Sequence, residues 1–151
     1  MRNVPFPQAN DFEKIIAIVN VEDDTKLKNY SGMGGYLGDI SSRQVDYYIS
    51  ACVYLNIINK DKEFTEIGQR LRSLYGIEQK AELARVIVSD EVFGSVYFRQ
   101  KMLGVKLERE DVIEIMKQHV TFECEPMYVR RASTVISWIK WINNNEEALM
   151  E

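Results

Sequence analysis

The sequence predicts a mainly α-helical fold carrying one small β-hairpin, on three observations. Apolar residues recur at helical spacing over most of the chain, the mark of helices with one buried face. One short stretch breaks that rhythm, where Leu55-Asn56-Ile57-Ile58 and Glu63-Phe64-Thr65 flank the turn-forming Asn59-Lys60-Asp61-Lys62. The composition, 46% apolar and 28% charged over 151 residues, suits a globular protein that buries a core without disulfide or metal support.

Each element has its own signal. Asp11 is placed to cap a first helix in which Phe12, Ile15, Ile16 and Val19 share a face. Glu22-Asp23-Asp24-Thr25 offers caps for a short second helix through Tyr30, and Ser31-Gly32-Met33-Gly34-Gly35 reads as a loop. Ser41, with Gln44 three residues later, makes a capping box for a third helix ending near Tyr54. Val45, Tyr48, Ile49, Cys52 and Leu55 form its apolar stripe, with Arg43, Tyr47, Ser50 and Tyr54 opposite. After the hairpin, Thr65 caps a helix through Ile67, Leu71 and Leu74 that stops at Gly76. The rest is helical in pattern: Gln79 to Val88, Asp90 to Leu103, Glu108 to Val120, and a last helix with Pro126 in its first turn that runs to about Asn143 before a frayed, acidic end.

Charge and cysteine usage narrow the function classes. Nineteen Lys and Arg against 23 Asp and Glu give a net of −4, the wrong sign for a generic nucleic-acid binder. Removing the tail acids Glu146, Glu147 and Glu151 leaves residues 1–145 nearly neutral, so a basic patch must come from placement. The longest apolar run, Ile15-Ile16-Ala17-Ile18-Val19, and a start without a signal-peptide core predict a cytoplasmic protein with no membrane span. Cys52 and Cys124 are then reduced thiols, Cys52 in the core. Only His119 and Cys124 lie close enough in sequence to suggest a metal, too few ligands for zinc, so neither metal nor cofactor is expected.

The order helix, helix, turn, amphipathic helix, hairpin, helix is the order of a winged helix-turn-helix, with the hairpin as the wing. The third helix is narrow enough to enter a major groove, and Lys60 and Lys62 in the hairpin turn would reach flanking phosphates. An offset of 87 residues, Arg43 onto Arg130, also superposes two helix patterns. The stripe Val45, Ile49, Cys52, Leu55 falls on Ala132, Ile136, Ile139, Ile142, and the face Arg43, Tyr47, Ser50, Tyr54 falls on Arg130, Thr134, Ser137, Trp141. The pattern suggests tandem units: residues 8–76 as a first winged-helix unit, 77–143 as a second helix-turn-helix-like unit, and 144–151 as a flexible acidic tail.

At these residues a family resemblance enters. Arg43-Gln44-Val45-Asp46-Tyr47-Tyr48 through Tyr54-Leu55, continued by Phe64-Thr65-Glu66-Ile67-Gly68, resembles the RQxxYYxxAxxYLGL and hydrophobic-T-x-x-G signature of a winged-helix module of restriction endonucleases and related prokaryotic DNA-binding proteins. Arg130-Arg131-Ala132-Ser133-Thr134 through Trp138 and Trp141 resembles the RRxxTxxxWxxW that closes the module. The likeness spans roughly residues 8–143 and implies a tandem winged-helix DNA-recognition unit that accompanies a nuclease. Asn56 departs from the glycine of that pattern, the glycine-rich stretch before Ser41 lengthens the approach to the third helix, and no second wing is assigned.

The candidate DNA-binding residues are Ser42, Arg43, Gln44 and Tyr47 at the start of the third helix, Lys60 and Lys62 in the turn, and Arg130, Arg131, Ser133 and Thr134 on the last helix. Arginine reads guanine edges, glutamine reads adenine, and lysine and hydroxyls hold phosphates. The competing readings are a solvated helix start, ordinary turn lysines, and salt bridges from Arg130 and Arg131 to Glu123 or Glu125. Tyr48, Phe93 and Trp138 read as core. Asp24-Thr25-Lys26 and Glu78-Gln79-Lys80 match the short acid-x-Lys spacing of metal-dependent nucleases, but neither has a strand-borne acid before it, and His119 has no evident partner. The expectation is a non-catalytic protein that recognises duplex DNA for a restriction system, acting with a nuclease domain or subunit and with a homodimer left open. A protein-interaction adaptor or transcriptional regulator is the alternative.

Overall fold

Asp11, Ser41, Thr65 and Asp90 each cap a helix through a side-chain oxygen in the computed structural model, which describes residues 4–149. The helices are α1 (Phe12–Val19), α2 (Tyr30–Tyr36), α3 (Ser42–Tyr54), α4 (Glu66–Arg72), α5 (Gly76–Val88), α6 (Glu91–Leu103), α7 (Arg109–His119) and α8 (Glu125–Leu149), with a 3₁₀ turn at Asp24–Lys28. The capping box of Ser41 and Gln44 forms in full, so α3 starts where the sequence places it.

The expected β-hairpin, and with it the wing, is absent among the described residues. A lone antiparallel bridge between Ile58 and Phe64 stands in its place, and the architecture is all-helical. The segment is pinned too tightly to extend into strands. Asn59 accepts from the amides of Asp61 and Glu63 and closes the turn. The Thr65 hydroxyl, already serving the Gly68 amide as the α4 cap, donates to the Asn56 and Ile57 carbonyls. Ile57 and Ile58 are fully buried, so the short connection is an anchored turn between α3 and α4.

Two neighbouring expectations also change. The region from Glu22 to Tyr30 forms the 3₁₀ turn capped by Asp23, and the glycine-rich stretch is helical, as α2. Gly34 explains the second change, since a Cβ there would lie 2.5 Å from the Ile40 carbonyl oxygen. The glycine serves the close approach of α2 to the chain entering α3, and Met33 beside it is fully buried.

α8 is a central spine packed by α1, α5, α6 and α7. Trp138 lies fully buried on it, stacked on Phe93 at 4.7 Å and edge-on to Phe12 at 5.3 Å, and its indole N–H donates to the Ala9 carbonyl. The polar face inferred for both helices is partly buried too. Trp141 donates to Glu13 and Tyr54 donates to Asp90. Asn20 and Gln79 exchange side-chain hydrogen bonds across the α1–α5 junction, and buried residues of both halves form one core. The last helix continues through residues 144–149, the expected tail, while residues 150–151 lie outside the described residues. No helix among the described residues is long and apolar enough to cross a membrane.

Candidate functional site

The first turns of α3 carry the candidate reading residues, held by the box at Ser41. Ser42 and Arg43 are exposed. The Arg43 Nε donates to the Tyr47 hydroxyl at 3.1 Å, and the guanidinium lies over that ring at 5.7 Å, so the two side chains form one unit. The Gln44 carbonyl accepts from the Ser41 amide, which commits part of this side chain to capping. Asp46 and Ser50 complete the outward positions, with Asp46 accepting from Tyr30 at 3.1 Å. Burial, reinforced by this hydrogen bond, pushes the Tyr30 phenol up to about 12.

Cations flank this face on two edges. On the Asp46–Ser50 edge, Lys60 and Lys62 border a hollow of about 270 Å³ shared with Tyr30 and Val53, and the Lys62 ammonium sits over the Tyr30 ring at 5.3 Å. Lys62 adopts a left-handed backbone, which the turn built on Asn59 requires. On the Arg43–Tyr47 edge, Arg131 of α8 interacts electrostatically with Tyr47 and packs its guanidinium over Phe122 at 4.4 Å. Burial and the adjacent Arg130 charge hold the Arg131 pKa below that of an ordinary guanidinium. Arg130 itself is exposed. The anticipated bridge to Glu125 does not form, because Glu125 pairs with Lys117.

The remaining candidates on α8 are held by other parts of the chain. Thr134 is fully buried, donating to Asn10 and accepting from the Ala9 amide, so it anchors the N-terminal segment and cannot reach a ligand. Ser133 accepts from Arg109, which also donates to the Val129 carbonyl. The structure thus brings Arg43, Tyr47 and Arg131 to one edge and Lys60 and Lys62 to the other, with Arg130 exposed next to Arg131 on α8, and leaves Thr134 out. Tyr30, Asp46 and Arg109 escaped the sequence reading. Tyr30 and Asp46 lie sixteen positions apart and meet only because α2 folds against α3.

The acid-x-Lys pairs stay apart, Asp24 in the 3₁₀ turn and Glu78 in the first turn of α5, both exposed. Among the described residues no three His, Cys, Asp or Glu side chains gather as a metal-binding group. His119 does have neighbours: Ser95 at 3.4 Å on one ring nitrogen and Glu91 at 3.7 Å on the other, beside a cleft of about 810 Å³ lined by Phe6, Tyr54 and Phe122. The Glu91 carboxylate is 82% exposed, so water screens it and it fixes neither the tautomer nor the orientation of the ring. No curated protein and no solved structure matches the chain. The model of the family described as Domain of unknown function (DUF7226) matches residues 14–147, so the chain belongs to that family.

Proposed function

We propose that the chain binds duplex DNA sequence-specifically, with α3 as the element that enters the major groove. The observation carrying this reading is the pair of cationic edges, Lys60 and Lys62 on one side of α3 and Arg131, with the exposed Arg130 next to it in sequence, on the other. A helix in the groove has a phosphate strand on each side, so cations on both edges of one helix suit that target. A helix of 13 residues is about 20 Å long, enough to cross a groove about 12 Å wide. Between the edges stand groups that distinguish bases: Arg43 for guanine, Asp46 as an acceptor for the cytosine amine, and Ser50 for either.

The resemblance to restriction-associated modules supplies the setting. The chain would act in the cytoplasm as the target-recognition part of a restriction system, with cleavage by another domain or subunit. The test is selection from a random duplex library, followed by repetition with Arg43→Ala. Wild type should enrich a defined motif, and the variant should lose preference at one position of it. Enrichment of no motif would remove the sequence-specific reading.

The rival reading, a protein-interaction adaptor, is favoured by a separate observation. Phe98, Met102, Leu103 and Val105 are all more than half exposed at the end of α6 and just beyond it. That patch and the α3 face share no residue, so both surfaces can serve one protein.

A further inference from the structure

We propose that the groove between α5, α6 and the end of α8 docks an amphipathic helix of a protein partner whose flanks carry acidic residues. The apolar part of the argument is geometric. Phe98 and Met102 follow one another at i and i+4 on α6, a spacing by which one helix engages another, and Val105 lies just past the left-handed cap at Gly104; all three are more than half exposed, Met102 at 85%. Beside Phe98 a hollow of about 670 Å³ opens, with Ala84 and Val88 of α5 and Ile142 of α8 on its walls. Its lining is mostly apolar, which suits inserted aliphatic side chains and not a solvated loop.

The charge around the groove selects the occupant. Arg85 and Lys101 border this hollow, Lys106 borders the one beside it that shares Lys101 and Glu146, and Arg99 is exposed one turn from Met102 on α6. The two carboxylates nearby are already engaged, Glu82 by Arg70 and Arg85 and Glu146 by Lys101 and Tyr97. Among the described residues Arg99 and Lys106 have no carboxylate partner, so they add positive charge beside the apolar side chains, and carboxylates on a partner would complement both. A second copy of this chain would bring the same cations face to face, which disfavours self-association here. DNA would meet the cations but leave Met102 and Phe98 against charged phosphates. The inference does not depend on the DNA reading, since the two faces share no residue.

The test uses the full chain and two labelled helical peptides of roughly four turns, each with leucines at i, i+4 and i+7, one flanked by glutamates and its twin by lysines. The glutamate peptide should bind saturably, more weakly as salt rises, and the lysine peptide should not. Met102→Glu, at a site too exposed to threaten the fold, should weaken binding roughly tenfold or more. Arg99→Glu with Lys106→Glu should weaken the glutamate peptide and admit the lysine twin. Equal binding of the two peptides, or affinity unchanged by Met102→Glu, would overturn the proposal. So would a wild-type dimer in sedimentation that Met102→Glu makes monomeric, or duplex binding lost in Met102→Glu.

Discussion

Arg43 and Thr134 stand in similar sequence patterns, yet their side chains have opposite fates. Arg43 is exposed and bonded only to Tyr47. Its replacement by alanine should leave thermal stability unchanged and cost about 1–3 kcal/mol of duplex affinity, measured by fluorescence anisotropy. Thr134 is buried with both hydrogen-bonding roles used. Thr134→Val keeps the shape but leaves the Ala9 amide and Asn10 without their partner, so chemical denaturation should report a loss of about 1–3 kcal/mol. DNA affinity of the folded variant should be unchanged. Helical spacing identified the α3 stripe correctly at Val45, Ile49 and Cys52, all buried. It misplaced Thr134, Tyr54 and Trp141 because periodicity assigns polar and amphipathic side chains to solvent. Each instead finds a hydrogen-bond partner on another segment, Asn10 for Thr134, Asp90 for Tyr54 and Glu13 for Trp141, and is buried with it or beneath it. Those partners come from other segments of the chain, beyond the reach of any local window.

At the scale of elements, caps were legible and glycines were not. Asp11, Ser41 and Thr65 cap through bonds to amides two or three residues on, an interaction contained within a few positions. The glycines of α2 read as a loop because their purpose is a contact with the chain beyond the helix. Two substitutions in that one helix separate the cases. Gly35→Ala meets no atom within 4 Å and should stabilise by about 0.5–1 kcal/mol through helix propensity. Gly34→Ala drives a methyl against the Ile40 carbonyl and should destabilise by about 1–3 kcal/mol, as overpacking does. Thermal melts of the two variants check the pair, and equal shifts would mean that α2 does not lean on the entry to α3. The hairpin failed for a related reason. Short β-branched stretches around turn residues were real features of the sequence, but the contacts of Asn59 and Thr65 shorten the pairing to a single bridge.

For the whole molecule, side chains that join distant segments set the response to pH. Tyr30 and Tyr97 are both pushed up to about 12, in each case by burial first and then by a carboxylate, Asp46 or Glu146. A phenol whose folded value exceeds its ordinary value near 10 contributes stability that is complete below pH 10 and is lost as pH rises through 12. On the acid side, Lys101 holds Glu146 below the usual carboxylate range, so that contribution is present above the usual value and is lost as pH falls through the depressed one. Thermal unfolding followed against pH should decline at both ends, and Tyr97→Phe should flatten the alkaline limb. The 87-residue offset matched two amphipathic helices, but α8 is enclosed by four others, and enclosure depends on packing that a pattern of periods does not encode. The central claim, that cations on both edges of α3 engage a duplex, is tested most directly by a salt titration of duplex affinity. Wild type is compared with the combined Lys60→Ala, Lys62→Ala, Arg130→Ala and Arg131→Ala variant. Four phosphate contacts predict a log–log slope of about −3 to −4 for wild type and a nearly flat response for the variant. Wild type that fails to bind at low salt, or a slope the four substitutions leave unchanged, would contradict the account.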